Sequence, residues 1–360
     1  MVKAVRGMRD ILPADSGRWH AVEAEIIQVL RNYSYAEIRL PMMEYTDLFA
    51  RGVGEATDIV EKEMYTLADR DGDSLSLRPE GTASCVRALE EHGLLYNQTQ
   101  RVFYNGPMFR YEKPQKGRYR QFSQIGAEAY GIAGPDLDAE LIQLGYDCWQ
   151  QLGISDRVQL QLNTLGSGAA RGAFRAALLD YLRPLVNDLD EDSQRRLETN
   201  PLRILDSKVA ATQTLLEDAP QLLDFVDAEG LAHFQQLQDL LSQLNIPFEL
   251  NPNLVRGLDY YTHTVFEWVT TDLGSQGAIC AGGRYDGLVE RLGEIHLPGV
   301  AAALRNRIDA ACGQNRVWSA LGHALVDGTA RRDGERGWED YRHCGDVGCD
   351  AERHAGLGER

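Results

Sequence analysis

A carboxylate and a hydroxyl stand two residues apart in Leu77-Arg78-Pro79-Glu80-Gly81-Thr82. Pro79 and Gly81 force a bend at what reads as a strand exit, so Glu80 and Thr82 are presented where a helix begins, and an ammonium group would be bound well there. Capping of that helix by Glu80 or Thr82 is the simpler account of the turn taken alone. A second cluster runs from Phe109 to Phe122 and carries Arg110 and Arg118 at two strand ends across a basic loop. Planar guanidinium forks suit phosphate oxygens, and Phe122 could stack a purine ring. A solvated basic hairpin is the alternative, but arginines and aromatics gathered on strands favour an anionic, planar partner. Gln124 and Glu128 are four residues apart, an even separation that puts both on one face of an extended chain. They could line a polar floor or an exposed strand face. The fourth cluster, Leu254-Val255-Arg256-Gly257-Leu258-Asp259-Tyr260-Tyr261-Thr262, sets an arginine, an acid and two tyrosines at a strand entrance, where a turn with surface tyrosines is an equally good account. Ala281-Gly282-Gly283-Arg284-Tyr285-Asp286 adds a glycine pair that would let a ligand approach the backbone.

The rest of the chain must position these groups. Of 360 residues 43% are hydrophobic and 25% charged, as in ordinary globular proteins, and the length suggests two or three compact units. No run approaches the roughly 18 apolar residues of a membrane helix, and the first residues lack the apolar stretch of a secretory signal. The six cysteines are too sparse for a disulfide framework, which fits a reducing cytoplasm. A net charge of −17 argues against non-specific coating of nucleic acid, although Arg101 to Gln124 carries a local +5.

Trp19, Val22, Ile26, Val29 and Tyr33 recur at helical spacing, and Ala36 to Pro41 alternates as a strand. Asp69 to Asp73 reads as a hairpin turn between Met64–Leu67 and Leu75–Leu77. Strands are expected at 101–104 and 118–130, a helix at 136–152, and further strands at 265–269 and 277–280. Between them, residues 166–244 lose strand patterning and show helical spacing, as in Leu237, Leu240, Leu241 and Leu244. The pattern is α+β: a largely antiparallel sheet flanked by helices, with a discontinuous core from 1–165 and 245–293 interrupted by a helical insertion at 166–244. Residues 294–360 read differently, with three of the six cysteines, four of the eight histidines and no phenylalanine.

Gly7-Met8-Arg9-Asp10, Arg78 to Thr82, the Phe109–Phe122 hairpin, Arg203-Ile204-Leu205-Asp206-Ser207-Lys208 and Leu254 to Tyr261 occur in this order. Together they resemble the histidyl-tRNA synthetase family of class II aminoacyl-tRNA synthetases, over Val5 to Leu292. The resemblance implies a six- or seven-stranded antiparallel sheet, and a homodimer formed through the first helix and the strand ending at Pro41. It implies ligation of histidine to tRNA(His) by way of histidyl-adenylate, with ATP and its Mg2+. Glu80, Thr82 and Gln124 would hold the α-amino group, and Gly81 is among the residues that would bind histidine. Glu128, Tyr260 and Tyr261 would face the imidazole. Arg110 and Arg256 would flank the α-phosphate as the catalytic pair, Arg118 would reach the terminal phosphates, and Phe122 would stack on adenine. No metal-binding residues are implied.

After Gly293 the third class II motif and an anticodon-binding domain are not recognisable, and the composition of 294–360 suits a shifted reading frame or a rearranged end. The expectation is a histidine pocket and much of an ATP pocket with impaired adenylation. His343, Cys344, Cys349 and His354 are ligand types at a spacing that matches no zinc signature. A non-catalytic histidine-sensing paralogue, like the regulatory subunit of ATP phosphoribosyltransferase, is the main alternative. Arg256 to Tyr261 argues against it, because such paralogues generally lack that string.

Overall fold

The computed structural model describes residues 2–55, 57–114, 118–273, 277–293 and 299–305. The first helix, α1 (Pro13–Asn32), starts on a proline, whose missing N–H is one of the donors a helix start leaves unpaired anyway. Its apolar stripe buries Trp19, Val22, Ile26 and Val29, the periodicity read from sequence.

In chain order the strands are β1 (Ala36–Glu37), β2 (Met43–Tyr45), β3 (Tyr65–Ala68), β4 (Ser74–Leu77), β5 (Gln100–Phe109) and β6 (Gln121–Tyr130). They continue with β7 (Gln159–Thr164), β8 (Phe248–Leu250), β9 (Thr262–Val269), β10 (Ala278–Arg284) and β11 (Gly299–Arg305). The main sheet runs β1-β5-β6-β11-β10-β9-β7-β8, and β2-β4-β3 form a separate small sheet. All neighbours are antiparallel except the two edge pairs, β1 with β5 and β7 with β8. Eight strands replace the six or seven expected.

Two differences from the sequence reading have clear causes. Strand β5 runs through Pro107 instead of ending near Tyr104. The Pro107 carbonyl accepts from Arg78 Nε at 2.9 Å, so the N–H that proline lacks belongs to the side with no ladder partner. The second is β11, which pairs with both β6 and β10 inside the sheet where no strand was expected. An alanine-rich run shows neither period, and only its two backbone ladders make it a strand. The readings made for 306–360, including the shifted frame and His343, Cys344, Cys349 and His354, lie outside the described residues.

The remaining helices are α2 (Thr46–Val53), α3 (Thr82–Glu91), α4 (Pro135–Gln151), α5 (Gly168–Leu182), α6 (Glu191–Arg196), α7 (Ala210–Leu216), α8 (Ala228–Gln243) and α9 (Leu288–Leu292). Helices α5 to α8 run between β7 and β8, with 3-10 turns joining them. The main sheet divides two apolar clusters. One packs α1, α4 and α8 through Ile26, Leu141, Trp149 and Leu237 against Ile125, Ala127 and Trp268. The other gathers Phe49, Val86, Phe174 and Leu178 with Tyr104, Tyr260, Tyr261 and Tyr285. The tyrosine-bearing face holds the site.

Candidate active site

Strand β6 sends Ile125, Ala127 and Ala129 into the first cluster, so Gln124, Gly126 and Glu128 share the opposite face. Tyr104 of β5 lies opposite Gly126 in register. Only glycine admits its ring: a Cβ on Gly126 would sit 2.2 Å from it, and one on Gly81 2.3 Å. Held there, the Tyr104 hydroxyl meets Gln124 Nε2 at 3.1 Å and Glu128 Oε1 at 3.2 Å. Glu128 is 0% exposed and also accepts from Thr82 Oγ1 at 2.8 Å and from the Tyr285 hydroxyl. Gln124 and Glu128 are therefore a buried polar floor, not an exposed strand face. Burial pushes the Glu128 carboxyl up to about 8, the hydroxyl donors opposing the rise and the Glu80 charge adding to it.

At the start of α3, Glu80 Oε2 accepts from the Thr82 N–H at 2.7 Å and Oε1 from the Ala83 N–H at 2.9 Å. The capping account is thus correct, and it does not exhaust the residue, because the Tyr260 hydroxyl approaches the same Oε2 at 3.4 Å. Burial raises the Glu80 pKa, while the two backbone donors and Arg110 pull it down. One turn of chain links this acid to the arginine hairpin, since Arg110 Nε donates to the Pro79 carbonyl at 2.8 Å.

The turn before β9 is held from two sides. The Asp259 N–H donates to Val53 O at 3.0 Å, and Arg171 of α5 donates to Tyr261 O at 2.6 Å and Asp259 O at 3.3 Å. Tyr260 and Tyr261 are buried, their ring centroids 4.7 Å apart. Arg256 pairs with Glu267 of β9, and its guanidinium lies 5.7 Å from the Tyr261 ring centre. Burial would lower the Arg256 pKa, but Glu267 and the two tyrosines outweigh it and the net shift is upward. What approaches the Gly282–Gly283 backbone is this turn: a Cβ on Gly283 would sit 2.4 Å from Thr264 O and 3.0 Å from the Tyr261 ring.

Arg110, Arg118 and Arg256 line one cavity of about 970 Å³ with Glu63, Glu112 and Glu267. Arg118 Nε lies 3.1 Å from Glu112 Oε2, and the Arg110 guanidinium 5.4 Å from the Phe122 ring centre. Arg196, Arg203 and Lys208 of the helical segment line the same space. Cations from three separate stretches of chain thus line, interleaved with acids that include Asp58, Asp206 and Glu217, a volume sized for a small ligand. Glu80, Gln124 and Glu128 do not line this cavity; the Arg110–Pro79 bond joins it to them.

A family model of histidyl-tRNA synthetase matches residues 7–306. The chain belongs to the histidyl-tRNA synthetase family. It is an aminoacyl-tRNA synthetase, a ligase acting on histidine. The match extends past Leu292, where the sequence motifs ended, and takes in β11. The histidine–tRNA ligase of Marinomonas sp. (strain MWYL1) is 60% identical over 303 residues, which are 84% of this chain and 72% of that one. The crystal structure of apo S. aureus histidyl-tRNA synthetase superposes with a TM-score of 0.69 at 38% identity, covering 89% of this chain and 74% of that chain. An ATP phosphoribosyltransferase regulatory subunit/histidyl-tRNA synthetase from Bacillus halodurans C shares the fold, at a TM-score of 0.64, 22% identity and coverage of 92% and 90%. At that identity it shares the fold alone, and the regulatory alternative gains no support over the ligase.

The sequence reading missed Tyr104, Tyr285, Glu267 and Arg171. Tyr104 reads as a strand tyrosine and Tyr285 as a turn tyrosine, yet both reach Glu128, from 24 and 157 residues away. Glu267 looked like one polar position in a β-rich run. The available hint was steric, since Gly81 and Gly126 both leave room beside a bulky neighbour.

Proposed function

We propose that this histidyl-tRNA synthetase chain joins histidine to ATP and passes the activated amino acid to tRNA(His), with histidine and ATP bound on the two sides of the Arg110–Pro79 hydrogen bond. That bond, at 2.8 Å, is the observation that carries the reading. It keeps the acid of the amino-acid pocket and an arginine of the cationic cavity at a constant separation, as a reaction between two anions requires. In this reading Glu80, Gly81, Thr82 and Gln124 take the α-ammonium, and Glu128, Tyr260 and Tyr261 take the imidazole. A carboxylate and hydroxyls pairing both ring nitrogens would reject apolar isosteres strongly.

An ionised carboxylate oxygen of histidine attacks the α-phosphorus, and the bond to the bridging oxygen breaks to release pyrophosphate. No base is needed, because the nucleophile is already deprotonated. Arg110 and Arg256 neutralise the charge gathering at the phosphorus, Arg118 holds the terminal phosphates, and Phe122 stacks on adenine. Mg2+ would arrive with ATP and be held largely by its phosphates, since no group of three or more His, Cys, Asp or Glu among the described residues is placed to hold a metal. When bound with ATP, that ion would neutralise phosphate charge. In the second step the terminal ribose hydroxyl of the tRNA attacks the acyl carbon and AMP leaves.

The division into a catalytic core (1–165 and 245–293) and a helical insertion (166–244) is part of this reading. So is a homodimer through the first helix and the strand ending at Pro41; next to these, Leu12, Met42 and Tyr45 are 60%, 53% and 61% exposed. A cytoplasmic setting fits the free thiols of Cys85, Cys148 and Cys280, and no helix among the described residues is long and apolar enough to cross a membrane. The test is ATP–pyrophosphate exchange with and without histidine. Exchange that requires histidine supports the reading, and exchange indifferent to it overturns it. The rate beside a histidine–tRNA ligase of the family also measures the expected impairment of adenylation.

A further inference from the structure

We propose that Tyr104 is a positioning residue: its hydroxyl sets the orientation of the Gln124 amide so that the amide oxygen, not the NH2, meets the α-ammonium of the amino acid. The inference rests on the histidine-pocket reading above and deepens it.

Tyr104 is buried, and its ring is confined between Gly81 and Gly126. Its hydroxyl therefore has one place to be. Gln124 Nε2 reaches it there at 3.1 Å and Glu128 Oε1 at 3.2 Å, with Thr82 beside them. A phenol has one proton to give, and in the structure it goes to Glu128 Oε1. Tyr104 thus donates to Glu128 and accepts from Gln124, and the group that gives that bond is the amide NH2. The Gln124 oxygen is left facing away from Tyr104. An amide is nearly symmetric in shape, so nothing in its packing alone separates oxygen from nitrogen. The relay makes that choice. An amide oxygen attracts an ammonium group, whereas an NH2 in its place would repel it. One hydroxyl thus ties the acid assigned to the imidazole to the amide assigned to the amino group, so both ends of the amino acid are read by a single polarised chain.

Tyr104→Phe keeps the ring between the glycines and removes only the hydroxyl. Calorimetric titration of the full chain would use two probes: histidine, and imidazolepropionate, which lacks the amino group. The proposal expects histidine affinity to fall about 10- to 100-fold in Tyr104→Phe, and imidazolepropionate affinity to fall far less. In a Gln124→Glu background, where either oxygen accepts an ammonium proton, adding Tyr104→Phe should cost histidine binding under threefold. A purely structural role would weaken both probes alike and persist in the Gln124→Glu background, and either result overturns the proposal. If the parent binds histidine, such a result removes only the role of Tyr104. If the parent binds no histidine, the pocket reading falls and this inference falls with it.

Discussion

Arg110 Nε donates to the Pro79 carbonyl at 2.8 Å, so the arginine of the hairpin is fastened to the turn that carries Glu80. The same guanidinium lines the cavity with Arg118 and Arg256. A single side chain thereby spans two subsites, and its planar fork is what allows both contacts.

Replacing Arg110 with lysine keeps the charge but not the fork. Histidine-dependent pyrophosphate exchange is expected to fall on the order of 100-fold, equivalent to about 3 kcal/mol of lost transition-state stabilisation. The dissociation constant for histidine should change by less than about threefold, since Glu80 keeps its two backbone donors. Steady-state exchange together with equilibrium binding separates the two effects.

Arg256 is held by Glu267, and its side chain is only 10% exposed. Glu267→Ala leaves that guanidinium without a carboxylate, and a loss of roughly 1–3 kcal/mol is expected in urea unfolding. ATP should then raise the melting temperature of Glu267→Ala more than that of the parent, because phosphate supplies the missing anion. Thermal scans with and without ATP check this.

Glu128 makes a prediction about pH. Its folded pKa of about 8 lies above the ordinary 4.5, so between those values the folded chain retains a proton that the unfolded chain has lost. Its contribution to stability is whole below pH 4.5 and declines as pH rises toward 8. Glu128→Gln removes this titration. Relative to the parent it should gain stability with rising pH across that window, by up to about 1.4 kcal/mol per unit. Urea midpoints for both proteins at pH 5, 6.5 and 8 test the slope; parallel lines would contradict it.

Asp138 on α4 is fully buried and accepts from Arg284 Nη2 at 2.8 Å and His233 Nε2 at 2.9 Å. Since His233 comes from α8, the same acid fastens the helical segment to the core. Asp138→Asn leaves the buried Arg284 guanidinium with Asp286, at 3.3 Å, as its remaining acid partner, and a destabilisation of about 3 kcal/mol is expected from chemical unfolding.

Much of the site was legible before any fold was known. The even spacing of Gln124 and Glu128 put them on one face, and the bend at Pro79–Gly81 put Glu80 at a helix start. These are local rules, set by the two-residue repeat of a strand and by the orphan N–H groups of a first helical turn. The order of the motifs was enough to indicate the family.

The sequence by itself determined which side chains are available and which way each faces along its own element. Tertiary structure alone decided what each one meets. Sheet pairing brought Tyr104 beside Gly126, the chain's return through β10 brought Tyr285 to Glu128, and β11 became a strand only through ladders on both its edges. The raised pKa of Glu128 likewise belongs to no short stretch of residues. Desolvation and hydrogen-bond partners depend on what packs around a group in space, and a periodic pattern along the chain carries no record of residues 157 positions away.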